Sequence, residues 1–207
     1  MDIRTEKPED LEAVRNLNIV AFGRENEANL VDRLRGIWST FSFVAVQSDR
    51  IVGHLFFSLV TIEGKCSKNL SILGLAAVAV LPNYQRQGIG TRMIREGLKE
   101  CGRSAVQAVV VLGHPDLYSR FGFIPASRKS LGCEYDMPDQ AFMVLELESG
   151  ALQDCSPTVK YWSELSLCEW LSRRFFLWCI VPPKTIIKIT FRSQSRKRLC
   201  CTCLCEA

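Results

Sequence analysis

The chain has 207 residues, 47% hydrophobic and 23% charged, which fits one ordinary domain, or one domain plus an appendage, and excludes a wholly disordered chain or a collagen-like fibre. No run reaches the roughly 20 apolar residues that span a bilayer, and the opening MDIRTEKPED has no apolar h-region of a secretory signal. Residues 1–162 hold 18 Lys+Arg against 19 Asp+Glu, net −1, while residues 163–207 hold 8 against 3, net +5, so the body is no polybasic nucleic-acid binder.

Pro8-Glu9-Asp10 opens a helix with Leu11, Val14, Leu17 and Ala21 on one face, and Gly23 ends it. A second short helix sets Ala28, Val31 and Leu34 on one side, with Glu27 and Arg35 turned outward. Phe43–Gln47 and Ile51–Thr61 read as strands across a turn at Ser48-Asp49-Arg50, and Glu63-Gly64-Lys65 as another turn. Ile72–Val80 (ILGLAAVAV) is apolar on both parities, as a strand covered on both faces is. Leu81-Pro82 stops it. Gly88 to Cys101 reads as a helix with Ile89, Met93, Ile94 and Leu98 on one stripe. Ala105–Leu112 is another buried strand, His114-Pro115-Asp116 caps a short helix, and Ala141–Glu148 is a last strand. The layout is mixed α/β, and its strand–helix–strand unit must cross over right-handed.

The sharpest local signal is LPNYQRQGIGTRM, residues 81–93. A buried strand runs into a proline stop, a polar loop, and two glycines at the mouth of a helix. Gly88 and Gly90 let a ligand approach the backbone. Free N–H groups and the dipole at a helix start favour an anion, and Arg86 and Arg92 add positive charge. A Walker loop would need a Lys after its last glycine, and a dinucleotide fingerprint would need a third glycine where Met93 stands. Neither fits. A loop that merely turns the chain remains open on these residues alone.

Gln85-Arg86-Gln87-Gly88-Ile89-Gly90 resembles the Q/R-x-x-G-x-G/A motif of the GNAT acyltransferase family, placed after the strand and Pro82 as in that family. A second landmark, Tyr118 ahead of Phe121-Gly122-Phe123, is similar as well. The stretches AFGRENEANLVDRLR, GHLFFSLVTI, VVLGHPDLYSRFGFIPAS and AFMVLELESGAL resemble the YhbS-like branch of N-acetyltransferases. The resemblance covers about residues 1–162. It implies a GNAT fold: a mixed, mostly antiparallel sheet flanked by helices, with its fourth and fifth strands splayed. It further implies acetyl-CoA as co-substrate and no metal. The pantetheine arm would pair with Val78, Ala79 and Val80. The diphosphate would sit on the amides of Arg86, Gln87, Gly88, Ile89, Gly90 and Thr91. Tyr118 would protonate the departing thiolate.

The implied reaction is acetyl transfer to a primary amine by direct attack on the thioester; the alternative is a non-catalytic acyl-CoA sensor. Charge developing on the carbonyl oxygen calls for a backbone donor near Val80, and the amine must lose a proton to a base. Glu27, His54, His114, Glu134 and Asp136 are the candidates. The resemblance implies that Glu27 stands in the region that usually shapes the acceptor pocket, and its competing reading is an exposed helix carboxylate. His54 competes as a structural hydrogen-bonding group and His114 as a helix cap. Residues 21–35 and 127–140 are expected to line the pocket; neither the amine nor the oligomeric state can be read.

Six of the ten cysteines fall after residue 163, in a basic tail read as flexible or loosely packed. Its C-C-x-C-x-C end lacks the two-pair spacing of a zinc site. Acylated cysteines beside basic residues could touch a membrane, though an appended segment without a dedicated role is favoured. With no export signal, the expectation is a cytoplasmic protein with free thiols, in which Cys66, Cys101 and Cys133 act as buried hydrophobes.

Overall fold

The apolar run expected as a central strand forms as β5 (Ile72–Val80). The computed structural model describes residues 1–35, 40–66, 70–153 and 155–161; the tail at 163–207, with its metal and membrane readings, lies outside them. Around β5 stand β1 (Asp2–Thr5), β2 (Phe41–Gln47), β3 (Arg50–Leu59), β6 (Ala108–Leu112), β7 (Ile124–Pro125) and β9 (Phe142–Glu146). Their order is β1-β2-β3-β5-β6-β9-β7, and only β5 and β6 run parallel. A second sheet, β4-β10-β8, combines β4 (Thr61–Lys65), β10 (Ser156–Lys160) and β8 (Gly132–Cys133).

One irregularity shapes the molecule. Phe56 of β3 faces Ala77 of β5, yet the next residue, Phe57, faces Leu75. Ala76 is therefore an extra residue, a bulge that bends its strand. Pairing of β5 with β6 runs from Ile72↔Ala108 to Leu75↔Val111 and stops there. The outer half of β5, Ala76–Val80, leaves its neighbour where the bulge sits. β5 and β6 are the fourth and fifth strands of the main sheet in chain order, so the expected splay is present.

Helices cover both faces. Leu30, Val31 and Leu34 of α2 (Asn26–Arg35) pack on Phe56 and Ala77. On the opposite face, α3 (Ile89–Arg103) lies so close that a Cβ at Gly97 would stand 2.5 Å from Leu55 Cδ2 and 2.8 Å from Phe57 Cε2. Gly97→Val is thus expected to destabilise the fold by about 1–3 kcal/mol through overpacking. Urea unfolding would measure it, and an unchanged midpoint would deny the close approach.

Several expectations need correction. In α1 (Leu11–Phe22) the buried residues are Val14, Leu17 and Asn18, while Leu11 is 41% exposed, because the stripe that meets the sheet is rotated. Glu27 and Arg35 do not face outward: Glu27 is 2% exposed beside Arg24, and Arg35 turns back to Glu6 at 2.7 Å. The strand expected to reach Thr61 ends at Leu59, and the supposed turn at Glu63-Gly64-Lys65 is part of β4, paired with β10. Cys66 and Cys155 are not free thiols but a disulfide, since the β4–β10 register carries them side by side.

Candidate active site

The unpaired half of β5 offers backbone groups in a definite pattern. Leu81 N donates to Val52 O at 3.0 Å. Antiparallel pairs alternate, so Val80 and Val78, opposite Gly53 and Leu55, point their N–H and C=O away from β3. They point to the side that β6 has left. Ala79 instead turns its backbone toward His54 of β3. Gln85 Nε2 donates to the Val80 carbonyl at 3.1 Å, which that orientation allows.

The strand feeds a loop built for exposed amides. After a 3-10 turn at Pro82–Tyr84, Arg86 adopts φ +60° and Gly88 φ +77°. Both lie in the left-handed region that favours glycine. The first helical bond of α3 runs from Arg92 N to Gly88 O at 3.0 Å. The N–H groups of Ile89, Gly90 and Thr91 therefore have no partner within the helix. A Cβ on Gly88 would meet nothing within 4 Å, whereas one on Gly90 would touch Val80 Cγ2 at 3.8 Å and Val78 Cγ1 at 3.9 Å. The helix mouth thus sits against the outer half of β5. Gln87 and the side chains of Arg86 and Arg92 are exposed around it.

Tyr118 closes α4 (Pro115–Tyr118), which follows directly from the end of β6. It is 7% exposed, and its ring meets Phe123 edge-on at 5.7 Å. A Cβ on Gly113 would stand 2.3 Å from Tyr118 Cε2. Only a glycine at 113 leaves room for the Tyr118 ring, a contact that the sequence reading missed; a glycine directly after a buried strand and ahead of a short helix was its only signal. Gln85 was likewise read as part of a motif rather than as a clamp on Val80.

The five candidate bases are not brought together. His54 is fully buried: the Asn18 amide donates to Nδ1 at 3.0 Å, and Nε2 meets Ser42 Oγ at 3.0 Å. Because Asn18 Nδ2 also donates to Val14 O at 2.8 Å, its nitrogen faces the ring and the imidazole proton sits on Nε2. Ser42 passes the chain on to Glu6. Burial first, then the Arg35 charge, pushes the His54 pKa down to about 3, so it is structural, as its competing reading held. Glu27 lies at the start of α2 with Arg24 Nε donating to its two oxygens at 2.9 and 3.0 Å. His114 caps α4 through its carbonyl, which accepts from Leu117 N at 3.1 Å. Glu134 Oε1 accepts from Tyr161 N at 2.6 Å, and Asp136 is exposed. No cluster of three or more metal-ligating side chains occurs among the described residues, and no helix there is long and apolar enough to cross a membrane.

A parting pair of strands, outward amides on one of them, and a glycine-led helix mouth beside them can accommodate an extended ligand that ends in an anion. Residues 2–126 match the family model described as an acetyltransferase (GNAT) domain. The chain is 35% identical over 163 residues to the uncharacterized N-acetyltransferase YhbS of Escherichia coli, covering 78% of this chain and 96% of YhbS. The crystal structure of E. coli YhbS in complex with CoA superposes with a TM-score of 0.74 at 33% identity, covering 80% of this chain and 91% of that one. A GNAT family acetyltransferase from Brucella melitensis, in complex with acetyl-CoA, gives 0.64 at 31%, covering 79% and 97%. With the family model spanning more than half its length, this chain belongs to the GNAT family of acetyltransferases.

Proposed function

We propose that the protein transfers the acetyl group of acetyl-CoA to a primary amine by direct attack on the thioester. The observation that carries this is the half-strand Ala76–Val80, released from β6 and abutting the mouth of α3. Val78 and the Val80 N–H turn toward the gap with groups that can pair with the amide bonds of a pantetheine arm. The amides of Gly88 to Thr91, with Arg86 and Gln87 in the preceding loop, meet a diphosphate. Bound there, acetyl-CoA supplies an activated acyl group on a good leaving group.

The chain's own residues then have distinct tasks. The Val80 N–H stabilises charge on the carbonyl oxygen. Tyr118, the last residue of α4 with its ring against Gly113 just past β6, donates its phenolic proton to the departing sulfur. Glu27, with Arg24 beside it, is the carboxylate we assign to the wall of the acceptor pocket. Holding amine and thioester in line supplies the larger part of the rate.

Tyr118→Phe should lower kcat by about tenfold to 10²-fold, with acetyl-CoA affinity kept, because the ring still fills the space over Gly113. The measurement is release of free CoA thiol with a panel of amines, alongside calorimetric binding. Equal turnover in the two proteins would remove the acid role. Binding without thiol release for any amine would leave a sensor.

A further inference from the structure

Cys66 and Cys155 lie 89 residues apart in the chain, with their Cα atoms 4.4 Å apart. They extend the β4–β10 ladder by one pair beyond Lys65↔Ser156. β10 in turn holds β8, through Thr158↔Gly132 and Val159↔Cys133. Glu134 N donates to Val159 O at 3.2 Å, and Tyr161 N donates back to Glu134 Oε1 at 2.6 Å. Tyr161 also reaches the main sheet, where its ring would lie 3.3 Å from a Cβ on Gly74. The disulfide thus fastens the strand that positions residues 132–134, within the stretch read as acceptor-pocket wall.

A cavity of about 590 Å³ opens at this clasp, lined by Arg128, Lys129, Ser130, Gln153, Cys155 and Ser156 among others. Lys129 is held by Glu146 at 2.6 Å, while Arg128 is exposed and has no ion pair among the described residues. The cavity therefore has an uncompensated positive charge beside a sulfur–sulfur bond. Cys101 and Cys133 are poor competitors for exchange. Burial raises both thiols, Cys101 to about 12, and a protonated thiol is a weak nucleophile.

We propose that Cys66–Cys155 is a thiol–disulfide exchange site for an anionic small thiol of the glutathione class, and that its state sets how firmly residues 132–134 are held. The consequence for catalysis rests on the acetyl-transfer reading above; the exchange chemistry does not. The small thiolate attacks Sγ of Cys155, the partner that lines the cavity with Arg128. The sulfur–sulfur bond breaks, and its electron pair leaves with the Cys66 sulfur, which takes up a proton. A second small thiol attacks the mixed disulfide and frees Cys155 as a thiol. Two protein thiols form as two small thiols join, so electrons and protons balance.

The test equilibrates the full-length chain with mixtures of glutathione and glutathione disulfide, alkylates it, and maps Cys66 and Cys155 by peptide mass. Both states should be populated across the series; a bond intact, or absent, at every ratio overturns the proposal. In the reduced chain, amide hydrogen exchange at residues 132–134 and 156–160 should rise about tenfold or more, with calorimetric acetyl-CoA affinity unchanged. Equal exchange in the two states overturns the fastening role. Arg128→Glu should slow reduction by glutathione about fivefold more than reduction by dithiothreitol, which carries no carboxylate; an equal effect on both reductants, or none on either, removes the anionic selectivity. Failure of the oxidised native chain to bind acetyl-CoA would strike the proposed function alone, leaving the thiol and exchange readouts to stand.

Discussion

Gly88→Glu is expected to weaken acetyl-CoA binding by about 10³-fold while leaving a folded protein. The space for the new side chain exists, because a Cβ at this position meets nothing within 4 Å. The backbone cost is modest: φ is +77°, and a non-glycine residue held there costs on the order of 1–3 kcal/mol. The electrostatic cost is larger. A carboxylate about 4 Å from a diphosphate charge repels it by about 4 kcal/mol at an effective dielectric of 20, or about 10³ in affinity. Calorimetry reads the binding, and circular dichroism checks that the fold survives. A variant that binds acetyl-CoA like its parent would falsify the assignment of this loop. Gly88→Ala separates the two contributions, since it carries the backbone strain without the charge.

Acidification should destabilise the protein steeply through His54. Its pKa is about 3 in the folded chain and near 6.5 when unfolded. Between those values the unfolded chain binds the extra proton, so stability falls as pH falls. The contribution is complete above about pH 6.5 and is lost progressively toward pH 3. By pH 4 the folded-to-unfolded ratio should have dropped on the order of 10²-fold from this group alone. Asp10, held low chiefly by its hydrogen bond from Arg4, adds to the same trend at lower pH. Urea unfolding from pH 7 to pH 4 measures the slope for the parent and for His54→Gln, which retains a polar side chain near Asn18 and Ser42. The same slope in both would show that the imidazole is not the titrating group.

What the sequence made legible follows from the range of its signals. Ile72–Val80 was exact because a strand covered on both faces needs apolar residues at every position. The Gly88 loop was legible because a glycine-led helix start is a local pattern. The second sheet was not: β4, β8 and β10 are short, lie up to a hundred residues apart, and exist only through one another. The disulfide depended on that sheet and was hidden with it. Glu27 was misplaced for a different reason. A charged residue on a helix is usually solvated, and nothing in periodicity announces that Arg24 will accompany it inward. The base has no local signature either, since it is defined by distance to a substrate rather than by neighbours in the chain.

The widening between β5 and β6 is set by counting, not by chemistry. One surplus amino acid at Ala76 bends β5 where its pairing with β6 ends, at Leu75↔Val111. β6 itself stops at Leu112 and the chain turns into α4 at Pro115, so no strand residue stands opposite the amides of Val78 and Val80. Exchanging Ala76 for another small residue changes none of these counts. The capacity to receive a ligand is thus written into the length of a strand, where a comparison of side chains alone would overlook it.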